Sequence, residues 1–582
     1  MVLFPSSSAF RVARAVLYAV SWLLLAAVAL RYGLTPTGGY DYFWHLKTGE
    51  QLWQTRSLLR IESFSYLAQG RPWPYKDAGA ELLLYGVEHA WGPGAVVVLK
   101  ASAFVSLVGF IGAAALRYRR ARLWVVLVVL GAGAVASGFR VGELPETLAL
   151  ATTACVLWLI ERHRARGASL WWTLPVVALT ANLHRSVWTL PPLLLAYAAA
   201  RALEAHRQGM STPALLHAER GPLLVAISSF GAALSTPFLL HGLSSSLSMM
   251  GARSYNAVIP EWSPVTPAVL WAASPWAYAL LALVGLGVAA RGRRQQPWDL
   301  ALCLLGGALC LRSVRFVPYP FLFGALPACS GLSFWVEQHT NAARRAVGEL
   351  LGAALAASVS LLFALVALFD PLPLPHLGLQ EQRYPDAALA FVQTHGIRGR
   401  VLNEFHYGGY LLYHLWPATQ VFVDGRNDWL FTPQELELST QVLIDGPSFE
   451  RARLRYGFEW LFLGNRPDEQ QRLHFDNDPG WALVFTSEAA LVYVRRDGPN
   501  AALAASAYRV LKAHELGASI SAAVRTGPRT AALAVAEAER MVREDPQSFP
   551  ANLALAEAYG LTGRPEARAQ LERARSLASR RR

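Results

Sequence analysis

Long apolar runs constrain this sequence more than any other feature. A chain crosses a bilayer as a helix of about 20 mostly apolar residues, because its backbone polar groups must be satisfied without water. By that rule about eleven candidate spans can be marked. They lie near 12–34, 93–116, 121–139, 144–161, 169–184, 186–203, 221–243, 265–290, 297–316, 317–337 and 347–369. Composition agrees. Apolar residues make up 53% of the chain and charged residues 16%, against about 25% charged in an ordinary soluble domain.

The net charge of +13 does not point to nucleic acid, because the arginines form no single basic face. They cluster between apolar runs instead. With Arg11 and Arg14 placed in the cytoplasm, each even-numbered connection is basic: Arg117, Arg119, Arg120 and Arg122; Arg162, Arg164 and Arg166; Arg201, Arg207 and Arg220; Arg291, Arg293 and Arg294; Arg344 and Arg345. The positive-inside rule then predicts a multi-pass membrane protein with a cytoplasmic N-terminus and everything after about residue 370 outside. The first run could be cleaved after Ala27-Val28-Ala29, but it is long for a signal peptide, and we read it as an anchor. Cys155, Cys303, Cys310 and Cys329 all fall in apolar stretches without metal-ligand spacing and read as small buried residues.

The runs divide the chain into a membrane domain (1–370) with a long first outer loop (35–92), an extracytoplasmic α/β domain (371–500) and a helical tail (501–582). Within the loop, 78–91 reads as an amphipathic interfacial helix. In the α/β domain, strands are expected at 400–404, 419–423, 459–463, 481–486 and 490–495, with helices near 385–395, 409–415, 433–443 and 447–456. The tail shows helical periodicity at 501–514, 528–543, 550–560 and 564–578. The stretch from Ala551 to Ala578, with its Gly563-Arg564-Pro565 turn, resembles a tetratricopeptide helix pair; a plain helical hairpin reads nearly as well.

Chemically interesting residues gather on the outer side. They are Asp41, His45, Glu62 and Asp77 in the first loop, Arg140 and Glu143 in the next outer turn, and His184 with Arg185 after the fifth span. Arg253 and Glu261-Trp262 follow in the fourth outer loop, and Arg312 with Arg315 at the outer end of the ninth span. A carboxylate can activate an attacking hydroxyl, and arginines can clamp a phosphate. These are parts for moving a sugar from a lipid phosphate to an acceptor. Each residue also has a plainer reading. Asp41 is either the base or a helix cap, and His45 shares its helix face. Glu62 and Asp77 are either second acids or solvated loop carboxylates. Arg312 and Arg315, three apart on one helix side, either bind phosphate or snorkel to headgroups. Glu261-Trp262 either contacts the acceptor or staples the loop to the interface. In the outer domain, Gly408-Gly409 and Asp424-Gly425-Arg426 read as turns.

The segment Asp41-x-x-Trp44-His45-Leu46-x-x-Gly49, with Glu62-Ser63-Phe64-Ser65-Tyr66 and Gly70-x-Pro72-Trp73, resembles the first outer loop of bacterial polytopic proteins related to GT-C membrane glycosyltransferases. That class includes the dolichyl-phosphate-mannose protein mannosyltransferases. Asn182-Leu183-His184, Glu261-Trp262-Ser263-Pro264, Arg312-x-x-Arg315, Asn403 with Gly408-Gly409-Tyr410-Leu411, and Val423-Asp424-Gly425-Arg426-x-Asp428 extend the resemblance over roughly 1–495. The resemblance implies an α-helical polytopic GT-C-like domain, a polyprenyl-phosphate-linked hexose donor, a cell-envelope glycan, lipid or protein acceptor, and Asp41 as catalytic residue. Asp41-Tyr42-Phe43 departs from the adjacent acidic pair of better-known members, so no cofactor is predicted, and a divalent metal stays an open alternative that the sequence does not support. Two other functions compete: a non-catalytic scaffold displaying its outer domains to protein partners, and a transporter or flippase. The second would call for internal repeats and midplane charges, neither of which stands out.

Overall fold

A computed structural model describes residues 7–73, 77–142, 145–239, 243, 260–340, 345–426, 430–465 and 473–579. Arg253 lies outside the described residues, as do Glu143 and Asp428. The described chain separates into two compact units. The first comprises residues up to Gly39, Thr48–Leu58 and Pro74–Leu379. The second comprises Tyr40–Lys47, Leu59–Trp73 and Gln380–Arg582. The outer loop is thus shared out between the units, and the α/β and tail regions fall together in the second.

The first unit is helical. All eleven apolar segments contain helix. Among the described residues five helices are long and apolar enough to cross a membrane: Ser8–Gly33, Pro93–Arg117, Leu123–Arg140, Val314–His339 and Arg345–Leu368. The expected span at 265–290 is broken. Pro267–Ala273 and Trp276–Arg294 meet at 114°, across Ser274-Pro275, where the proline cannot donate to the helix ladder. Small residues allow the closest helix approaches. A Cβ on Gly331 would lie 2.0 Å from the Gly287 carbonyl oxygen, and one on Gly287 would lie 2.7 Å from the Ala328 Cα. Fully buried Tyr32, Tyr197, Trp298, Tyr319 and Phe321 fill the interior. Arg119 pairs with Glu161 (2.6 Å) and Asp299, and all three side chains are buried. Arg31 donates to the carbonyls of Leu372 (2.7 Å) and Pro373 (2.9 Å), pinning the chain as it leaves the last long helix. The expected loop helix is present as Ala78–Trp91.

The second unit is built on a four-stranded sheet of order β1-β2-β4-β3: β1 Arg400–Asn403, β2 Phe458–Gly464, β3 Trp481–Thr486 and β4 Ala490–Arg495. β1 and β2 run parallel; β2 with β4, and β3 with β4, run antiparallel. β2, β3 and β4 bury almost every residue, which explains their unbroken apolar sequences. The strand expected at 419–423 is not a sheet strand. Val421 makes a single parallel bridge to Ser65 of the outer loop. The Asn403 side chain makes two further bonds with this stretch, accepting from Phe422 N (2.8 Å) and donating to Val423 O (2.7 Å).

The tail departs from expectation at its start. The helix read over 501–514 is only Ala501–Ala504 plus a short turn at Ala513–Glu515. Between them the buried Glu537 carboxylate accepts from the amides of Arg509, Val510 and Leu511 (2.6, 3.1 and 2.9 Å), so these donors serve a side chain instead of a helix. Leu516–Thr526, Pro528–Glu544, Phe549–Leu561 and Ala567–Ser579 follow as helices, each packed on the next.

Candidate functional site

In the first unit two chain breaks create a charged cavity. His184 ends the helix Thr173–Leu183 in extended conformation and accepts from Ser186 N (3.2 Å), starting the turn Arg185–Thr189. Ser313 breaks the chain after the helix Pro297–Arg312, and the turn Val314–Phe316 then carries Arg315. Arg312 and Arg315 are therefore not stacked on one continuous helix face, contrary to the spacing argument. Both still line one cavity of about 140 Å³, together with Glu146, His184, Arg185, Trp188, Trp262 and Tyr319. The structure thus brings together five of the expected binding residues: His184, Arg185, Trp262, Arg312 and Arg315.

Glu261 stands behind the cavity in a ring of ion pairs. It accepts from Arg315 Nη1 (2.7 Å) and Arg140 Nη1 (2.8 Å). Glu146 pairs with Arg140 Nη2 (2.7 Å) and lies 3.4 Å from Arg315 Nε. Two arginines balance two carboxylates. Burial would raise the Glu261 carboxyl, but the positive charges of Arg315 and then Arg140 override it and hold it below the ordinary range. Arg185 and Arg315 lie over the Trp262 ring at 5.3 and 5.2 Å. The lining itself carries three arginines, Arg185, Arg312 and Arg315, against one carboxylate, Glu146. A cationic, aromatic-lined cavity is suited to an anionic headgroup carrying an apolar chain. The sequence reading missed Glu146 and Tyr319; an acid in the first turn of an apolar helix was the available signal.

In the second unit Asp41 immediately precedes the helix Tyr42–Thr55. Its Oδ1 accepts from Trp44 Nε1 at 2.9 Å. His45 lies against the Trp44 ring, with centroids 3.6 Å apart. Tyr40 stacks on His406 (5.0 Å) and carries the Arg383 guanidinium 4.3 Å from its centroid. The two glycine turns that looked local in sequence meet this segment. A Cβ on Gly425 would lie 1.8 Å from Asp41 Oδ1, and one on Gly409 would lie 3.0 Å from the Tyr40 carbonyl oxygen.

Glu62 occupies a different setting. Its Oε1 accepts from the amides of Phe64 and Ser65, both at 2.6 Å, and from Arg426 Nη2 at 3.1 Å; its Oε2 accepts from Arg426 Nη1 at 2.7 Å. Arg426 also donates to Asp424 through Nε (2.8 Å) and Nη2 (2.6 Å). Its guanidinium lies over Phe64 (4.9 Å) and Trp73 (4.7 Å). Burial opposes the Arg426 charge, but Asp424 and then Glu62 raise its pKa above the ordinary value. With both oxygens engaged in a sealed triad, Glu62 fits a structural anchor and not a second reacting acid. Asp77 sits at the N-cap of Ala78–Trp91 in the first unit and makes no side-chain capping bond there. Among the described residues no three His, Cys, Asp or Glu side chains converge as a metal-holding group.

No protein-family model and no curated protein matches the chain. Solved structures do. The archaeal oligosaccharyltransferase AglB from Archaeoglobus fulgidus, in complex with an inhibitory peptide and a dolichol-phosphate, superposes with TM-score 0.56 at 11% identity, covering 83% of this chain and 74% of that one. An Archaeoglobus fulgidus oligosaccharyltransferase in complex with Zn and sulfate gives TM-score 0.52 at 12% identity over 94% of this chain and 85% of that one. The chain has a GT-C-type fold. The arabinofuranosyltransferase AftD from Mycobacteria extends this GT-C likeness, with TM-score 0.51 at 17% identity over 83% of this chain and 41% of that one. At these identities the likeness concerns the fold. The GT-C-type fold expected from the resemblance of Asp41-x-x-Trp44-His45 agrees with a backbone likeness over 83% of the chain.

Proposed function

We propose that the protein is a membrane glycosyltransferase that moves a sugar, of hexose type, from a polyprenyl-phosphate donor to a glycan, lipid or protein acceptor of the cell envelope. The observation that carries this reading is the cationic, aromatic-lined cavity of Arg185, Arg312, Arg315, His184 and Trp262 within a GT-C-type fold. The structural neighbours point the same way. AglB and AftD are transferases by description, and AglB is described with a dolichol-phosphate. The membrane would be a bacterial inner membrane, with the N-terminus cytoplasmic and the outer domains extracytoplasmic.

In the proposed reaction an acceptor hydroxyl attacks the anomeric carbon of the donor. Its proton passes to Asp41 as the new glycosidic bond forms, and the bond from the anomeric carbon to phosphate oxygen breaks. The lipid phosphate leaves with its electron pair, and Arg312, Arg315 and Arg185 hold its charge. Arg253 would belong to the same binding set, and Asp77 to its periphery. No step is routed through a metal. The helical tail would recruit a protein partner.

The test is sugar transfer in membranes supplied with a radiolabelled polyprenyl-phosphate hexose. Asp41→Asn should lower turnover by about 10²-fold or more at normal expression, the usual contribution of a positioned base. Unchanged turnover would remove Asp41 from the mechanism.

A further inference from the structure

Resting on the reading of Asp41 as base, we infer that Gly425, braced by the Asp424–Arg426–Glu62 triad, is the positioning residue that sets the Asp41 carboxylate from the outer domain. Gly425 does not have a positive φ, so no left-handed backbone requires a glycine there. Space requires it. An added Cβ would stand 1.8 Å from Asp41 Oδ1 and 2.9 Å from Trp44 Nε1, the two atoms that share the 2.9 Å hydrogen bond. The bare Gly425 backbone is therefore one wall of the carboxylate's seat, and the Trp44 indole is another.

A wall must be immobile to orient a side chain. The residues on either side of Gly425 meet that condition. Asp424 is 0% and Arg426 3% exposed. Asp424 Oδ1 accepts from both the backbone amide (2.9 Å) and Nε (2.8 Å) of Arg426, closing a tight ring around the glycine. Glu62 and the rings of Phe64 and Trp73 fix the guanidinium from outside. Behind the strap, a Cβ on Gly408 would lie 2.0 Å from the Val423 carbonyl oxygen, so the helix Phe405–Leu415 backs it directly. The bracing charges are engaged with one another, and none is needed to touch substrate. Their effect on the reaction runs through the position and hydrogen bonding of Asp41.

The test uses the full-length protein in membranes that hold the envelope acceptor, supplied with a polyprenyl-phosphate hexose, comparing Gly425→Ala and Trp44→Phe with Asp41→Asn. Gly425→Ala should reduce kcat by about tenfold or more, since sub-ångström misplacement is costly. Its donor KM should stay within about twofold, because ground-state binding is untouched. The acid limb of the pH–rate profile should move to higher pH in both variants, because a carboxylate that loses the indole hydrogen bond ionises less readily. Carbodiimide labelling of Asp41, read by peptide mass spectrometry, should rise in both whether or not turnover is detected. A folded Gly425→Ala protein with wild-type kcat, acid limb and labelling would overturn the inference, as would a kcat loss that merely tracks the folded fraction. If Gly425→Ala fails to fold, Trp44→Phe carries the same expectations and the same refutation. Full activity in Asp41→Asn would instead remove the base assignment, and the labelling would then judge the positioning by itself.

Discussion

Arg315 and Arg426 are built from the same parts. Each arginine meets two carboxylates and lies over a tryptophan ring, Trp262 in the first unit and Trp73 in the second. Their exposure differs. The Arg426 side chain is 1% exposed and both its acids 0%. The Arg315 side chain is 12% exposed, and its partner Glu261 is 32% exposed. A sealed triad has nothing left to offer a ligand, and its charges tolerate no missing member. A cluster opening on a cavity keeps a guanidinium where an anion can reach it. Solvent access, not residue type, separates the two settings.

The hardest blow to this contrast should be Arg426→Ala. It strands Asp424 and Glu62 in the interior, at a cost of about 3–5 kcal/mol. Thermal unfolding in detergent should show a large fall in midpoint, or the yield of monodisperse protein should collapse. Glu62→Gln keeps the shape and an acceptor oxygen but loses the charge, so about 1–3 kcal/mol is expected by the same measurement. A reacting acid would instead show lost turnover at full stability. Arg315→Ala should be milder still for the fold, about 1 kcal/mol or less, because Glu261 is 32% exposed and neither carboxylate is left without an arginine. Glu146 and Glu261 also keep Arg140, at 2.7 and 2.8 Å. Its effect should fall on the donor, with KM raised about tenfold through the lost charge-assisted contact. Equal stability losses for Arg315→Ala and Arg426→Ala would erase the distinction.

The smallest expected effect concerns pH in the second unit. Burial would raise the Asp476 carboxyl, but hydrogen bonds from His514 and then Tyr493 hold it below its ordinary value. A depressed acid contributes stability that is complete above its unfolded pKa and is lost as pH falls through the folded one. Asp476→Asn should therefore flatten the acid side of the stability profile and leave the variant nearest wild type at the lowest pH. Unfolding midpoints recorded across an acid series would show this.

The helical plan was legible because apolar length is a local signal. What escaped reading was set by partners far away in sequence. The stretch 419–423 has a strand's composition, but Asn403 and Ser65 take its hydrogen bonds. The helix expected over 501–514 gave way to one buried acid, Glu537. The cavity residues His184, Arg185, Trp262, Arg312 and Arg315 were individually visible as polar groups beside apolar runs. The breaks at His184 and Ser313 that turn them inward carry no comparable signature. Asp424-Gly425-Arg426 read as a strand-end turn because nothing nearby announces that it belongs beside Asp41 and Glu62.

The distance between Glu62 and Arg426, 364 residues, also has a meaning in time. At about 5–20 residues per second, a ribosome needs roughly 20–70 s to travel from one to the other. Throughout that interval Glu62, Phe64 and Trp73 have already been made, while the guanidinium they will enclose does not yet exist. The first long loop must wait for this partner until the later long apolar helices and β1 have followed it. Maturation of the Asp41 seat is therefore a late event in the life of each molecule, and a chain interrupted before Arg426 can carry every apolar span yet never complete it.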